Sequence, residues 1–256
     1  MNNDISRAAL ITGAAKRIGR AMALDLAAHG WAVAVHFNSS EADAVQVCDE
    51  IVRAGGRAAP VRADLEREDE CQALVKHATT ALGPLTLLIN NASIFEKDSP
   101  ETATRESWDA HMQINLRAPF VLIQEFSARL PKDVTGNVIN IVDQRVWNLT
   151  GAFTSYTVSK AALWTLTRTL ALALAPRIRV NAVGPGPTLP SARQTEEQFQ
   201  RQWEVVPLAR QVFTDEICEA VRFIVDAHSM TGQMIALDGG QHLGSAPPPR
   251  AQPLDE

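Results

Sequence analysis

The stretch from residue 8 to residue 29 restricts the fold more than any other part of the chain. It reads as a short apolar run at 8–12, a turn opened by Gly13 and closed by Gly19, and a helical stretch at 20–29. An apolar run of that length, bounded by glycine and followed by a helix, is the opening of a parallel β-α-β unit. The alternation then continues. Apolar runs at 31–37, 57–62, 85–89, 137–142, 178–183 and 233–237 are separated by helical patterns at 41–53, 71–82, 105–130, 161–175, 195–203 and 215–226. This predicts an α/β fold: a single-domain, Rossmann-like doubly wound parallel sheet of about seven strands with helices on both faces. A chain of 256 residues with 46% hydrophobic content can bury such a core in one domain. We expect that domain over 1–243, followed by a Pro-rich tail at 244–256 that is extended or disordered.

Charge narrows the partners. A net charge of −5 argues against nucleic acid or an anionic membrane as the main partner, because either selects for a basic face. The chain opens without an apolar segment behind a basic region, and no run approaches the ~18 uncharged apolar residues of a spanning helix, so a cytoplasmic protein is expected. Cys48, Cys71 and Cys218 are odd in number and form no C-x-x-C pair, as expected for reduced thiols. The six histidines lack metal-ligand spacing, and no metal is assigned. A small-molecule substrate remains.

In open parallel sheets, ligands bind beyond the carboxyl ends of the strands, and the residues there fit that expectation. Gly13 lets backbone N–H groups approach a phosphate, and the following helix aims its dipole at it. The turn matches G-x-G-x-x-G incompletely, with Arg17 where another glycine would stand, and an unliganded turn is the alternative. The second strand ends at His36, and no acid follows until Glu41. Lys16, Arg17, Asn38, Ser39 and Ser40 could therefore surround an extra phosphate, which favours NADPH over NADH. The same residues also suit a polar turn capping the next helix. Asp64 suits an adenine contact or a helix cap equally. Asn90 to Ser93 is delivered to the carboxyl edge, and the segment 184–193, rich in Gly and Pro, suits a substrate lid.

Tyr156 and Lys160 are four residues apart on a helix and project from one face. Bringing a phenol of pKa about 10 into use near neutrality needs a shift of roughly 3 units, about 4 kcal/mol. One cation about 4 Å away at an effective dielectric of about 20 supplies roughly that. Asn115, inside the 105–130 helical pattern, can organise water if buried.

Together, Thr12-Gly13-(x)3-Arg17-Ile18-Gly19, Asn90-Asn91-Ala92, Asn115 and Tyr156-(x)3-Lys160 resemble the short-chain dehydrogenase/reductase family over residues 6–243. The resemblance implies Tyr156 as proton donor, Lys160 as the group that lowers its pKa and holds the nicotinamide ribose, and Asn115 in a water relay. It implies cofactor contacts from Gly13, Lys16, Arg17, Ile18, Gly19, His36, Asn38, Ser39, Ser40, Asp64, Leu65, Asn91, Ala92, Ser93, Tyr156, Lys160, Pro185 and Gly186, and a cytoplasmic homotetramer. Family members usually carry serine 13 residues before the tyrosine, where this chain has Asp143. That substitution, with T-G-A-A-K-R-I-G and the Asn90-to-Phe95 segment, resembles pteridine reductases. It implies substrate contacts from Arg17, Ser93, Phe95, Asp143 and Tyr156 to a flat pterin.

Chemistry gives the aspartate its own rationale. Carbonyl reduction needs a donor on the developing oxyanion, which a carboxylate would repel, whereas reduction of a C=N bond needs a proton at nitrogen. The expected function is hydride transfer from NADPH to a pterin or dihydropterin. The alternatives are a carbonyl reductase of the same family and a non-catalytic NADPH-binding protein.

Overall fold

The computed structural model describes residues 7–244, so the Pro-rich tail beyond Gly244 lies outside the described residues. Seven strands form one parallel sheet: β1 (Ala8–Ile11), β2 (Ala32–Phe37), β3 (Arg57–Arg62), β4 (Leu87–Asn90), β5 (Gly136–Ile141), β6 (Ile178–Pro185) and β7 (Met234–Leu237), in spatial order β3-β2-β1-β4-β5-β6-β7. Between them run α1 (Arg17–Ala28), α2 (Glu41–Arg53), α3 (Glu68–Leu82), α4 (Arg105–Met112), α5 (Ala118–Arg129), α6 (Thr154–Leu174), α7 (Glu196–Glu204) and α8 (Thr214–Asp226). The chain is a single Rossmann-like domain, as the alternating pattern predicts.

The period of two along the strands divides the core between the two faces. Ala9, Ile11, Val33, Val35, Ile89 and Ile139 pack with Met22, Leu26, Val47, Ile51 and Val221 of α1, α2 and α8. Their neighbours Ala8, Leu10, Ala32, Ala34, Leu88 and Val138 pack with Leu74, Val75, Leu122 and Phe126 of α3 and α5. Central strands β1, β2, β4 and β5 are buried throughout, while β3, with Arg57, Pro60 and Arg62, takes the edge. Proline and charge suit an edge strand, which donates fewer ladder bonds.

The strand order reverses between β1 and β4, and that switch point opens a crevice at their carboxyl ends. Thr12 ties the two strands beyond the ladder: its hydroxyl oxygen accepts from the N–H groups of Asn91 and Ala92, each at 2.9 Å. The amide of Asn91 in turn donates to Thr12 O at 2.8 Å.

One expected element differs. The single helix expected over 105–130 is three pieces, with a π turn at Gln113–Arg117 between α4 and α5. Pro119 explains the break, because it lacks the N–H that an α-helix would aim at the carbonyl of Asn115 and its ring crowds that carbonyl. Among the described residues no helix is long and apolar enough to cross a membrane.

Candidate active site

A cleft of about 920 Å³ lies along the switch point, running from the glycine turn to the start of α6. Gly13, Lys16, Arg17, Ile18, Gly19, Asn91, Ala92, Ser93, Phe95, Asp143, Tyr156, Lys160, Pro185 and Gly186 all line it. The remaining sequence-predicted residues, His36, Asn38, Ser39, Ser40, Asp64, Leu65 and Asn115, are not among those lining it.

The glycine end is built for close approach. A Cβ on Gly19 would stand 2.2 Å from the Gly13 carbonyl oxygen, and Gly13 has φ +62°. Arg17 itself adopts φ 54° at the start of α1, which costs a non-glycine residue about 1–2 kcal/mol. Its guanidinium donates to the carbonyls of Pro190 at 2.8 Å and Leu189 at 3.1 Å. Arg17 therefore faces the segment after β6 rather than the end of β2. Lys16 is on the β2 side but pairs with Asp43 at 3.0 Å, an acid that the sequence reading did not weigh. Both groups are exposed, and such pairs exchange at little cost.

His36, expected among the cofactor contacts, is 2% exposed, with its imidazole turned into the protein. Gly13 N–H donates to its Nδ1 at 2.9 Å, which leaves the proton on Nε2, 3.1 Å from Ala63 O. Burial pushes its pKa down to about 4, against the smaller opposing effect of the Ala63 bond. The imidazole is a neutral brace that shapes the glycine turn. Asn38 and Ser39 are exposed, and Ser40 is the N-cap residue of α2 without a side-chain cap bond. Asp64 accepts from Glu66 N–H at 3.0 Å in a local turn ahead of α3, and buried Leu65 offers its carbonyl to Gln113.

At the other end, Tyr156 donates from its hydroxyl to Asp143 Oδ2 at 2.9 Å. Burial and the Asp143 carboxylate hold the phenol well above its ordinary pKa. Lys160, 2% exposed, donates from Nζ to Ile141 O at 2.8 Å, and its Nζ is 5.9 Å from the Tyr156 ring centroid. Burial lowers its pKa to about 8, opposed by Asp143. Burial first and the Asp143 charge second raise the phenol pKa, and Arg145 opposes them; Lys160, turned toward the Ile141 carbonyl, is not among these causes.

Asn115 is fully buried and its side chain is spoken for. Its Oδ1 accepts from Ser93 Oγ and Ile94 N–H, and its Nδ2 donates to Ile94 O and Ser159 Oγ, all at 3.0 Å. It joins the 93–95 segment to α6 rather than presenting its amide to water. Phe95 stacks on Phe153 at 4.3 Å and meets Tyr156 edge-on at 4.6 Å, so one face of its ring is covered. After β6, Arg193 pairs with Glu96 at 2.6 Å and donates to Phe95 O, which ties this segment to residues 95 and 96.

The sequence reading missed a buried cluster beneath Tyr156. Ser155 donates from Oγ to Asp98, whose other oxygen accepts Ser155 N–H at 3.2 Å. His111 Nδ1 lies 2.8 Å from Ser155 Oγ and its Nε2 accepts Glu96 N–H at 3.2 Å. Asp98 O also receives Phe153 N–H at 2.9 Å, which secures that residue at φ 59° just before α6. The serine lies between the acid and the histidine and is 0% exposed, so the cluster braces the helix rather than acting as a nucleophile. Arg145, Phe153 and Gln241 also line the cleft without having been singled out. The polar loop after β5 was the available signal for the first.

The parallel sheet, the glycine turn at its switch point and a buried Tyr–Lys pair beside it define a dinucleotide-type oxidoreductase site. The chain belongs to the short-chain dehydrogenase family, whose model matches residues 7–201. Among curated relatives it is 30% identical over 249 residues to the 3-oxoacyl-[acyl-carrier-protein] reductase of Staphylococcus epidermidis, covering 93% of this chain and 100% of the relative. An uncharacterized oxidoreductase of Methylorubrum extorquens is 34% identical, with 91% and 97% covered. Among solved structures, the FolM alternative dihydrofolate reductase 1 of Brucella canis, complexed with NADP, is similar at 48% identity and a TM-score of 0.92, covering 96% of this chain and 98% of that one. A blue fluorescent protein from a metagenomic library, in complex with NADPH, matches at 32% identity and a TM-score of 0.86, with 93% and 99% covered.

Proposed function

We propose that this protein is an NADPH-dependent reductase of a pterin or dihydropterin. The observation that carries the reading is the Tyr156–Asp143 hydrogen bond of 2.9 Å inside the cleft, where a carbonyl reductase needs a donor for an oxyanion. The likeness to a FolM reductase at 48% identity supports it.

The residues present fit the dinucleotide. The cradle formed by Gly13 and Gly19 has no room for a Cβ on Gly19, and the N-terminus of α1 favours a pyrophosphate there. Lys16, Asn38, Ser39 and Ser40 surround the added phosphate, and equal use of NADH would contradict that assignment. Bound NADPH supplies the hydride to the carbon of a substrate C=N bond. Tyr156 gives its proton to the nitrogen as the C=N electron pair moves there. Lys160 favours the resulting phenolate, being mostly charged at pH 7 with a pKa of about 8, and solvent returns the proton. Asp143 keeps the phenol protonated until that moment and accepts from a ring N–H. Ser93, Phe95 and Arg17 flank the substrate, and Asn115 fixes the segment that carries the first two.

A second reading, reduction of a 3-oxoacyl or other carbonyl substrate, is favoured by the curated relatives. NADPH oxidation by the purified protein, with dihydropterins and with 3-oxoacyl thioesters, separates the two. Turnover of the thioester but of no pterin would refute our assignment. We also propose a cytoplasmic homotetramer, with Met112, Leu116, Phe120 and Leu166 around a hollow on α4 to α6 as a subunit contact; light scattering tests the stoichiometry.

A further inference from the structure

Arg145 stands in the substrate end of the cleft with donor capacity that the protein does not use. Its backbone N–H donates to Asp143 Oδ1 at 2.8 Å, which fixes its main chain to the carboxylate beside Tyr156. Its guanidinium carbon lies 5.2 Å from the Phe153 ring centroid, 5.6 Å from Phe95 and 5.8 Å from Tyr156. Nε is buried with no hydrogen-bond partner, and Nη1 makes one long bond of 3.3 Å to Thr150 Oγ1. Among the described residues Arg145 has no ion-pair partner, unlike Arg193, which pairs with Glu96, and unlike Arg17, which donates to two backbone carbonyls. The adjacent Gln144 is 4% exposed, also lines the cleft, and has Oε1 unpartnered.

A packing role does not account for this. A methionine would cover the same rings without burying an unsatisfied donor, an arrangement that costs as much as a lost hydrogen bond. The three rings offset part of the charge, but cation–π contact leaves the N–H donors free in the guanidinium plane. Nε itself is closed off; the terminal Nη donors, held only by the long Thr150 contact, are those an acceptor on a ligand can reach, and a delocalised cation favours an oxygen rich in negative charge.

We propose that Arg145 is a specificity-determining residue that donates to a ring-conjugated oxo or carboxylate oxygen on a flat substrate seated beside Phe95. The proposal rests on the reductase reading above. It makes an edge oxygen, and not the aromatic ring alone, the feature by which the site chooses its substrate.

The test compares the wild type with Arg145→Met and Arg145→Lys on three dihydropteridines: one with a ring oxo group, one without it, and one that lacks the oxo group but carries a carboxylate. Arg145→Met should raise KM for the substrate whose oxygen is read by about tenfold to a hundredfold, the worth of a charge-assisted hydrogen bond. It should leave KM for the oxygen-free analogue within about twofold, kcat at saturation within about threefold, and NADPH affinity unchanged. Whichever oxygen-bearing arm suffers the loss identifies the oxygen. Arg145→Lys, which keeps the charge without the fork, should recover part of the loss. Equal losses on all three compounds overturn the proposal. So does a fall in kcat with KM unchanged on all three compounds, which would make Arg145 only a tuner of the Tyr156–Asp143 pair, whose phenol pKa it lowers. If Arg145→Met does not fold, Arg145→Lys and Arg145→Gln carry the same comparison. Failure of the wild type to reduce any dihydropteridine refutes the reductase reading itself. Fluorescence-monitored binding of the same three compounds to wild type and variant then decides the role of Arg145 separately.

Discussion

Tyr156 is the single tyrosine of the chain, so its ionisation can be followed directly by tyrosinate absorbance in the near ultraviolet. Burial and the Asp143 carboxylate hold the phenol well above its ordinary pKa. The wild type should show no tyrosinate near pH 10, where a free phenol is half ionised. Asp143→Asn removes the charge and keeps the shape. Two unit charges separated by the 2.9 Å of the present hydrogen bond repel by about 6 kcal/mol at an effective dielectric of about 20. That figure is a ceiling of about 4 pKa units, and partial exposure of Asp143 to water reduces it. We expect the midpoint to fall by at least about 1.5 units, since the asparagine amide can also donate to the phenolate. Because the folded pKa is raised, the stability it contributes is present below about pH 10 and is lost as pH rises through the folded value. Circular dichroism at each pH separates ionisation from unfolding, and Tyr156→Phe supplies the blank. A wild-type midpoint at or below 10 in folded protein, or no shift in the variant, would refute the claim that Asp143 keeps the phenol protonated.

Other consequences follow from the buried groups. His36, with a folded pKa of about 4 against 6.5 unfolded, binds its proton more readily when the chain unfolds. Stability should fall as pH drops from about 6.5 to about 4, by up to about 3 kcal/mol. Urea titrations across that window should show a shallower dependence in His36→Gln. Asp98→Ala leaves the buried Ser155 N–H and hydroxyl without their carboxylate acceptor and should cost about 2–4 kcal/mol in the same assay; a cost under about 0.5 kcal/mol would contradict the bracing role. Cys48, Cys71 and Cys218 are buried, and desolvation raises their thiols to about 11, 12 and 12. In folded protein at neutral pH they should react with a thiol reagent far more slowly than in urea. Gly19→Ala should abolish NADPH binding or folding, since its Cβ would meet the Gly13 carbonyl at 2.2 Å.

The fold was legible because its signals are local. Each central strand is a short, largely apolar run such as Ala8–Ile11, and the helices between them carry their own periodicity. The π turn was not read, although Pro119 sits four residues after Asn115 and marks the place. Tyr156, Lys160 and Asp143 were legible from spacing along the segment that joins β5 to α6. The role of His36 was not, because its partners Gly13 and Ala63 are 23 and 27 residues away and only the sheet brings them together. The same holds for Asp98 and Ser155, separated by 57 residues, and for the Lys16–Asp43 pair. Spacing shows which residues share a helix face; it does not show which buried charge will dominate a phenol. Here the nearer group is Asp143, in hydrogen-bond contact, while Lys160 is turned toward the Ile141 carbonyl.

The central claim is that a carboxylate in hydrogen-bond contact with Tyr156 marks a site for reducing a ring C=N bond. Its most direct test is NADPH oxidation by the purified protein, assayed in parallel with a dihydropterin and a 3-oxoacyl thioester, for wild type and Tyr156→Phe. The account predicts dihydropterin-dependent oxidation that Tyr156→Phe nearly abolishes while NADPH still binds, and no comparable rate with the thioester. Turnover of the thioester without the pterin, or pterin reduction unimpaired in Tyr156→Phe, would contradict it.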